Sequence, residues 1–423
     1  MKLVLPLLVL ACVLLVAACN DSADPVPGPG DASRPLVDPG RGEWVPVPRE
    51  EVAETCRLDP ARLAEVDAAV ERLGGRGWAV VRYGRLCHEY DVGEPDAPTF
   101  VFSAAKTLGA LVTGIAAWQT RDLPRTGRKT GPLSDLDRMD HWVDDVTFNP
   151  DALVAHVLGM VGHNPDLSFG NRTWVYDAVG TTQINRLSDA VNAAIDQDPA
   201  RLGEDLEVFT QRFLFEPLGM KDSSWSNGAP DKTYGYGWVT TLRDMARLGL
   251  LILNGGVWSG ERIVGADWIY KMTHPAFEDA NTAFGYLTWL TSRANWFHVA
   301  GPEITDASGP CRPAAIWNDY PHEPSGSPDC GYAPWADCEQ RYDVGMWWAG
   351  GFNGQYVFGH PGLDMVVVAK DLDVRTQNPR VSITEFSLPL LRAVAALDPT
   401  FAGDEAAFCE AYGANRHAPD LRR

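Results

Sequence analysis

The sequence predicts an α/β fold in which helices flank a mostly antiparallel sheet and an all-α lobe is inserted into it. Three observations support this prediction. The chain opens with a helical pattern and a β-hairpin, its middle is helical, and its end has strand-like runs at 343–349, 354–359 and 364–370 before a helix near 381–397. Strands from both ends of the chain can then share one layer. We expect one domain over 49–423, with an α/β lobe (49–98 and about 285–423) and a helical lobe (about 99–284).

The first residues predict export. Lys2 precedes an almost wholly apolar run at 3–16, which ends in the small residues before Cys19. This run is too short for a spanning helix and is typical of a signal peptide, here residues 1–18. The box around Cys19 resembles a bacterial lipoprotein cleavage site. That resemblance implies that Cys19 is lipidated and anchors the exported protein in the cell envelope, on its periplasmic or outer face. An ordinary signal peptide, or a short membrane anchor, remains the alternative.

Composition and charge limit the partners that the chain can bind. Residues 20–48 are rich in Pro, Gly, Asp and Ser, so 19–48 is predicted to be a lipidated cysteine with a flexible tether. The formal net charge of −20 repels phosphate backbones, which argues against nucleic acid as a partner. Contact with the membrane is expected only through the lipid anchor. The sequence does not indicate an oligomeric state.

Cysteine usage also fits an oxidising compartment. Once the signal peptide and the lipidated cysteine are set aside, an even number of cysteines remains, which favours disulfides. The six cysteines allow fifteen connectivities, and among these we expect Cys56–Cys87, Cys311–Cys330 and Cys338–Cys409. A metal site is not expected, because the sequence has neither a C-x-x-C nor an H-E-x-x-H motif.

The opening helix and hairpin have local signals. Asp59-Pro60 is typical of a helix N-cap followed by proline at the first helical position, and Gly74-Gly75 ends the pattern. Apolar residues recur between them at helical spacing, at Leu63, Val66, Val70 and Leu73. A hairpin should follow, with strands 78–83 and 86–90 joined by a turn at 84–85.

The middle of the chain is predicted to be helical around one charged loop. Small and apolar residues dominate all faces of 104–118, which indicates a buried helix. Residues 120–150 are a charged loop, and helical patterns resume over 151–220 and 241–254. We expect 300–342 to be an ordered insertion held by a disulfide. The charged loop is predicted to present a solvated acidic face that comprises Asp135, Asp137, Asp140, Asp144 and Asp145.

The candidate nucleophile is Ser103 in Ser103-Ala104-Ala105-Lys106, the S-x-x-K motif of this sequence. A serine hydroxyl is a poor nucleophile at neutral pH and needs a base beside it. Residues three apart share a helix face, so Lys106 should reach the hydroxyl. A lysine can act as a base where burial lowers its pKa, and the apolar helix provides that burial. By itself the motif is weak, and a surface lysine on an ordinary helix is the alternative.

The motif and two longer stretches resemble the serine β-lactamase-related hydrolases. Residues 215–224 (FEPLGMKDSS) are similar to the "PLGM-x-D-T" stretch of that family, and 240–249 (TTLRDMARLG) to its "T-x-x-D-x-A-R-F-G" helix. The similarity is greatest to class C-like members, including 6-aminohexanoate-dimer hydrolases and carboxylesterases. It implies the β-lactamase/transpeptidase-like fold, a serine acyl-enzyme and no cofactor.

The second and third motifs of the family are only partly present. Tyr176-Asp177-Ala178 matches Y-x-N with the tyrosine present and the asparagine absent. By resemblance, Tyr176 shares the proton with Lys106. A half-buried structural tyrosine is the alternative. The K-T-G motif corresponds to Ala349-Gly350-Gly351, which lacks the lysine.

The resemblance also implies which residues bind the substrate. The oxyanion hole would be the backbone N–H groups of Ser103 and Phe352, because a glycine-lined strand lets the substrate approach the backbone. Trp348, Gly350 and Gly351 are candidate substrate-binding residues. Trp348 could equally be a core aromatic residue.

The predicted function is cleavage of an ester or a linear amide through a Ser103 acyl-enzyme that Lys106 and Tyr176 activate. Two alternatives remain open: a D-amino-acid peptidase, like a penicillin-binding protein, that acts on wall peptides, and a non-catalytic binding lipoprotein with the same fold. An α/β-hydrolase is not indicated, because the sequence has no G-x-S-x-G elbow.

Overall fold

The computed structural model describes residues 36–92, 97–225, 234–281, 284–290, 297–298, 341–342 and 347–372, with 390, 393–394 and 396–397. Its helices are α1 (Val52–Thr55), α2 (Pro60–Arg72), α3 (Ala105–Thr120), α4 (Met139–Trp142), α5 (Val154–Leu158), α6 (Arg186–Ile195), α7 (Pro199–Leu202), α8 (Leu206–Thr210), α9 (Glu216–Leu218), α10 (Leu242–Leu253) and α11 (Ala266–Thr273). A π-helical stretch, Gln211–Phe215, joins α8 to α9.

The strands form one large sheet and three small ones. They are β1 (Gly77–Arg82), β2 (Arg85–Asp91), β3 (Thr99–Phe100), β4 (Ser224–Trp225), β5 (Trp238–Thr240), β6 (Val257–Trp258), β7 (Glu261–Arg262), β8 (Trp289–Leu290), β9 (Phe297–His298), β10 (Arg341–Tyr342), β11 (Trp347–Gly351), β12 (Gln355–His360) and β13 (Met365–Lys370). The large sheet has the order β2-β1-β13-β12-β11-β8, and the small sheets are β3-β5-β4, β6-β7 and β9-β10.

The two ends of the chain meet in the large sheet. Strand β1 pairs with β13 in antiparallel register from Gly77–Lys370 to Arg82–Met365, and both strands are buried throughout. Helix α10 packs on this sheet so closely that a Cβ at Gly249 would lie 2.6 Å from Cγ1 of Val366. The predicted fold class is confirmed, because the strand pairs among the described residues are antiparallel and helices cover the sheet.

The local signals at the start of the domain are confirmed. The Asp59 carboxylate accepts a hydrogen bond from the backbone N–H of Ala61 and caps α2. The hairpin turns one residue earlier than the sequence suggests, at Tyr83 and Gly84, whose φ angles are 59° and 73°. Two consecutive positive φ values make the tight turn that matches the twist of paired strands.

Helix α3 lies inside the molecule and holds the candidate nucleophile at its N-terminal end. All but three of its residues are buried, and small residues let aromatic rings approach its axis. A Cβ at Gly109 would lie 2.5 Å from the Tyr234 ring, and one at Gly114 would lie 2.3 Å from the ring of Trp268. Helix α3 is therefore held by contacts with α11 and with the chain before β5.

The predicted acidic face is wrong for Asp135. Its carboxylate is buried, and it accepts hydrogen bonds from Nζ of Lys271 and the hydroxyl of Tyr286, each at 2.7 Å. Asp144 and Asp145, by contrast, are exposed as expected. The difference arises from partners more than a hundred residues away, which make burial of the charge tolerable.

The predicted tether ends earlier than residue 48, because residues 36–48 contact the domain. Trp44 is buried, and the Arg247 guanidinium donates hydrogen bonds to the carbonyl oxygens of Gly40 and Gly42. A composition rich in glycine and proline does not reveal such contacts, since Arg247 lies 207 residues from Gly40 and 205 residues from Gly42 along the chain. Where the tether begins lies outside the described residues.

One of the expected disulfides is present. Cys56 and Cys87 are joined, which links α1 to the hairpin. The other expected pairs, the lipidation site at Cys19 and the predicted 300–342 insertion lie outside the described residues. Within the described ranges, no helix is long and apolar enough to cross a bilayer.

Candidate active site

Ser103 lies in a tight turn between β3 and α3. The turn is a 3₁₀ helix, Phe102–Ala104, and the backbone N–H of Val101 donates to the carbonyl oxygen of Trp238 in β5. Phe102 has a φ of 49°, in the left-handed region. A bulky residue in that region costs roughly 1–3 kcal/mol, and such strain is concentrated at functional sites. The backbone before Ser103 is therefore held in a conformation that its neighbours must enforce.

The Lys106 amine contacts the Ser103 hydroxyl. Its Nζ lies 3.0 Å from Oγ of Ser103, 2.7 Å from the carbonyl oxygen of Ala178 and 2.8 Å from that of Gly235. The lysine is buried, with only 2% of its surface exposed. Three segments that are distant in sequence thus converge on one amine.

The surroundings of Lys106 favour its neutral form. Burial lowers the pKa of this amine to about 7, while the nearby Asp177 carboxylate opposes the shift. A neutral amine has two N–H groups and one lone pair. The carbonyl oxygens of Ala178 and Gly235 can only accept hydrogen bonds, so they occupy both N–H groups. The lone pair then remains for the hydroxyl proton of Ser103, which is the arrangement that a general base requires.

Asp177 orders the segment that contacts Lys106. Its carboxylate is buried and accepts hydrogen bonds from backbone N–H groups of the following turn. This turn holds the Ala178 carbonyl in place against the amine. The donors are Gly180 at 3.0 Å, Thr182 at 3.4 Å, Gln183 at 2.8 Å and Ile184 at 3.1 Å.

Tyr176 faces Lys106 with its ring. The ring centroid lies 4.9 Å from Nζ of Lys106, and the ring packs at 5.9 Å from Trp174 and at 5.7 Å from Trp289. The structure thus brings Tyr176 beside Lys106, where aromatic neighbours hold its ring. Its role in proton transfer stays a prediction.

The end of β11 forms the opposite edge of the site. A Cβ at Gly351 would lie 2.0 Å from the carbonyl oxygen of Val101, so only glycine permits this approach to the turn before Ser103. Phe352 follows directly. Its side chain is 61% exposed, and its ring makes an edge contact with Phe102 at 5.6 Å. The predicted oxyanion-hole residues 103 and 352 thus lie on neighbouring segments.

Trp348, which precedes the third motif, and Ala349, its first residue, are buried in the protein. Trp348 is buried and stacks on Trp289 at 5.3 Å. Ala349, at the position of the lysine of the family motif, is buried as well, whereas Gly350 is partly exposed. Trp348 therefore has the environment of a core aromatic residue. Substrate contact by Trp348, Gly350 and Gly351 stays a prediction.

Sequence reasoning missed the two carbonyl groups on Lys106. A backbone carbonyl belongs to every residue type, so Ala178 and Gly235 gave no signal. The Asp177 cap was also missed, although an aspartate before a turn is a known pattern. The described residues contain no group of three or more side chains that could hold a metal ion.

Comparisons with known proteins locate the similarity in the fold. No family model and no curated protein sequence matches the chain. Among solved structures, a Bacillus anthracis protein assigned as a 6-aminohexanoate-dimer hydrolase aligns over 78% of this chain and 81% of its own, with 13% identity and a TM-score of 0.50. A family VIII carboxylesterase aligns over 78% of this chain and 97% of its own, also with 13% identity and a TM-score of 0.50.

A penicillin-binding protein homologue from Caulobacter crescentus aligns with a TM-score of 0.47 and 13% identity, over 78% of this chain and 97% of its own. At such identities the alignments concern architecture and not activity. Together with the sheet order and the buried helix that begins at the S-x-x-K motif, the two alignments with a TM-score of 0.50 show that this chain has the β-lactamase/transpeptidase-like fold.

Proposed function

We propose that the protein is a serine hydrolase that transfers an acyl group from an ester or a linear amide to Ser103 and then to water. The observation that carries the proposal is the contact between Ser103 Oγ and the buried amine of Lys106, whose two N–H groups are held by carbonyl oxygens. An activated nucleophile requires a hydroxyl, an adjacent base and a group that orients the base.

The reaction begins when Ser103 Oγ attacks the substrate carbonyl carbon and its proton passes to Nζ of Lys106. The new O–C bond leaves negative charge on the carbonyl oxygen. When the tetrahedral intermediate collapses, the bond to the leaving group breaks and the leaving group takes the proton, through Tyr176 or directly from Lys106. A water molecule then attacks the acyl carbon and gives its proton to Lys106. The bond between the acyl carbon and Ser103 Oγ breaks, the acid is released, and Ser103 Oγ takes the proton back from Lys106.

The backbone N–H groups of Ser103 and Phe352 are proposed to stabilise the oxyanion. The close approach of Gly351 to Val101 supports this pairing, because it brings the end of β11 beside the turn that contains Ser103. Fixed N–H donors at such a position typically contribute about 100-fold or more to the rate.

The substrate is proposed to be an ester or a linear amide, and not a penicillin. Ala178 offers only its backbone carbonyl where the family motif has an asparagine side chain, and this carbonyl is occupied by Lys106. The buried Ala349 replaces the lysine that would pair with a carboxylate. A wall peptide that ends in a carboxylate would lose that same partner, which disfavours the peptidase.

A purely structural or binding role fits the site less well. A buried lysine with a lowered pKa weakens the fold at neutral pH, because the unfolded chain binds its proton more readily. Groups perturbed in this way are concentrated at catalytic sites. We also propose export to an oxidising compartment with a lipid anchor at Cys19. The Cys56–Cys87 disulfide supports the compartment.

Fluorophosphonate labelling of the purified protein tests the proposal, read by intact-mass spectrometry. The wild type should gain one phosphonyl adduct, and Ser103→Ala should gain none while it keeps the same melting temperature. Ser168→Ala, which changes an exposed serine, should label like the wild type. Absence of labelling in a folded wild-type protein would favour the binding lipoprotein. Rapid turnover of a penicillin would contradict the proposed substrate class.

A further inference from the structure

Three phenyl rings form a row beside the candidate nucleophile. Phe100 lies at the end of β3, and its ring centroid is 6.4 Å from that of Phe102. The Phe102 ring is in turn 5.6 Å from that of Phe352, at an interplanar angle of 73°. We call these three residues the phenyl row. It connects the strand before Ser103 to the end of β11.

The phenyl row is open to solvent at both ends. Phe352 is 61% exposed and Phe100 is 42% exposed, so neither ring is needed to fill the core. Large exposed apolar side chains that lie together generally mark a binding surface. Phe102 adds a second observation, because its φ of 49° is strained for phenylalanine and free of strain for glycine. A half-buried phenyl ring at this position therefore opposes the local backbone preference.

The chemistry of the site determines which part of a substrate can reach the phenyl row. The leaving group must lie near Lys106 and Tyr176, because it receives the proton from them. The acyl carbon is bonded to Ser103 Oγ from the first attack until water releases the acid. The acyl chain therefore extends away from Lys106, along the side where Phe102 precedes Ser103 and Phe352 follows the Gly351 contact.

Building on the proposed hydrolase function, we propose that the phenyl row binds an apolar acyl chain. The preferred substrates are then esters or amides of unbranched acids longer than acetate, from about butyrate to octanoate. Each methylene that is fully buried against apolar surface changes kcat/KM by roughly fourfold. Partial burial against open rings should give about threefold for each methylene.

The test uses p-nitrophenyl acetate, butyrate, hexanoate and octanoate, which share one leaving group. The measured quantity is the ratio of kcat/KM for hexanoate to that for acetate. We expect a ratio on the order of 50 or more in the wild type, from about threefold for each of the added methylenes. Phe100→Ser and Phe352→Ser should each lower this ratio about tenfold. Phe169→Ser should leave it unchanged, since it alters an exposed ring outside the phenyl row.

The outcomes separate this inference from the proposed function. Hydrolysis of acetate by the wild type, with none by Ser103→Ala, supports the hydrolase whatever the ratio. A flat chain-length series, or a ratio that the phenyl-row variants leave unchanged, overturns the acyl-chain inference alone. A preference that instead follows the size of the alcohol in a series of alkyl acetates overturns it as well. If no ester is hydrolysed and no fluorophosphonate reacts, both proposals fail.

Discussion

Replacing Lys106 with methionine should change how the stability of the protein responds to pH. Folding lowers the pKa of this amine from its ordinary 10.5 to about 7 because burial removes the charge from water. The unfolded chain then binds more protons than the folded one between these two values. Stability contributed by Lys106 is therefore complete above pH 10.5 and is lost as pH falls towards 7.

The size of this effect follows from the two pKa values. Because the unfolded chain binds this proton more tightly, the free energy of unfolding is lowered by roughly 4 kcal/mol at pH 7 and by roughly 2 kcal/mol at pH 9. The free energy of unfolding of the wild type, minus that of Lys106→Met, should thus rise by roughly 2 kcal/mol between these pH values. Lost hydrogen bonds to Ala178 and Gly235 shift this difference by a constant and leave its slope unchanged.

Urea unfolding followed by circular dichroism at a series of pH values measures the difference. Lys221→Met, which removes an exposed lysine, is the matched control. A pH-independent difference for Lys106→Met would refute the claim that the amine is neutral in the folded protein near pH 7. The assignment of Lys106 as general base would then lose its physical basis.

Three further predictions concern activity and stability. The kcat/KM for p-nitrophenyl butyrate should rise with pH up to about 7 and then level off, as Lys106 loses its proton; a profile that falls over this range contradicts the mechanism. Gly351→Ala should lower kcat about 100-fold by displacing β11, since its Cβ would lie 2.0 Å from a carbonyl oxygen, whereas Gly127→Ala, with open space around it, should be neutral in the same assay. Changing both Cys56 and Cys87 to serine frees a 31-residue loop and should cost about 4 kcal/mol in urea unfolding; an unchanged midpoint would show that the bridge contributes nothing.

The features that the sequence predicted well are those with short-range causes. The Asp59 cap acts over two residues, and the contact between Ser103 and Lys106 needs only three-residue spacing on a helix. The antiparallel sheet was predictable because a hairpin at the start of the chain and strand-like runs at its end can share one layer. Such signals need no knowledge of what lies across the fold.

The features that were missed depend on distant partners. Asp135 is buried because Lys271 and Tyr286 meet it from positions 136 and 151 residues away. Composition could only place it on a solvated loop. Residues 36–48 looked like tether for the same reason, because Arg247 of α10, which contacts the carbonyl oxygens of Gly40 and Gly42 and the ring of Trp44, lies far along the chain. The residue types in a sequence indicate side-chain chemistry, but they do not indicate which backbone groups form tertiary contacts.

Because distant segments surround the Lys106 amine, the proposed reactivity of Ser103 requires the complete tertiary structure. Its acceptor in Ala178 is 72 residues away along the chain, and its acceptor in Gly235 is 129 residues away. A nascent or unfolded chain has a solvated, protonated lysine and hence an inert serine. A protein that is made in one compartment and folds in another would be inactive during export and would become reactive only after it folds. The same coupling makes phosphonylation of Ser103 a direct measure of how much of a sample is native.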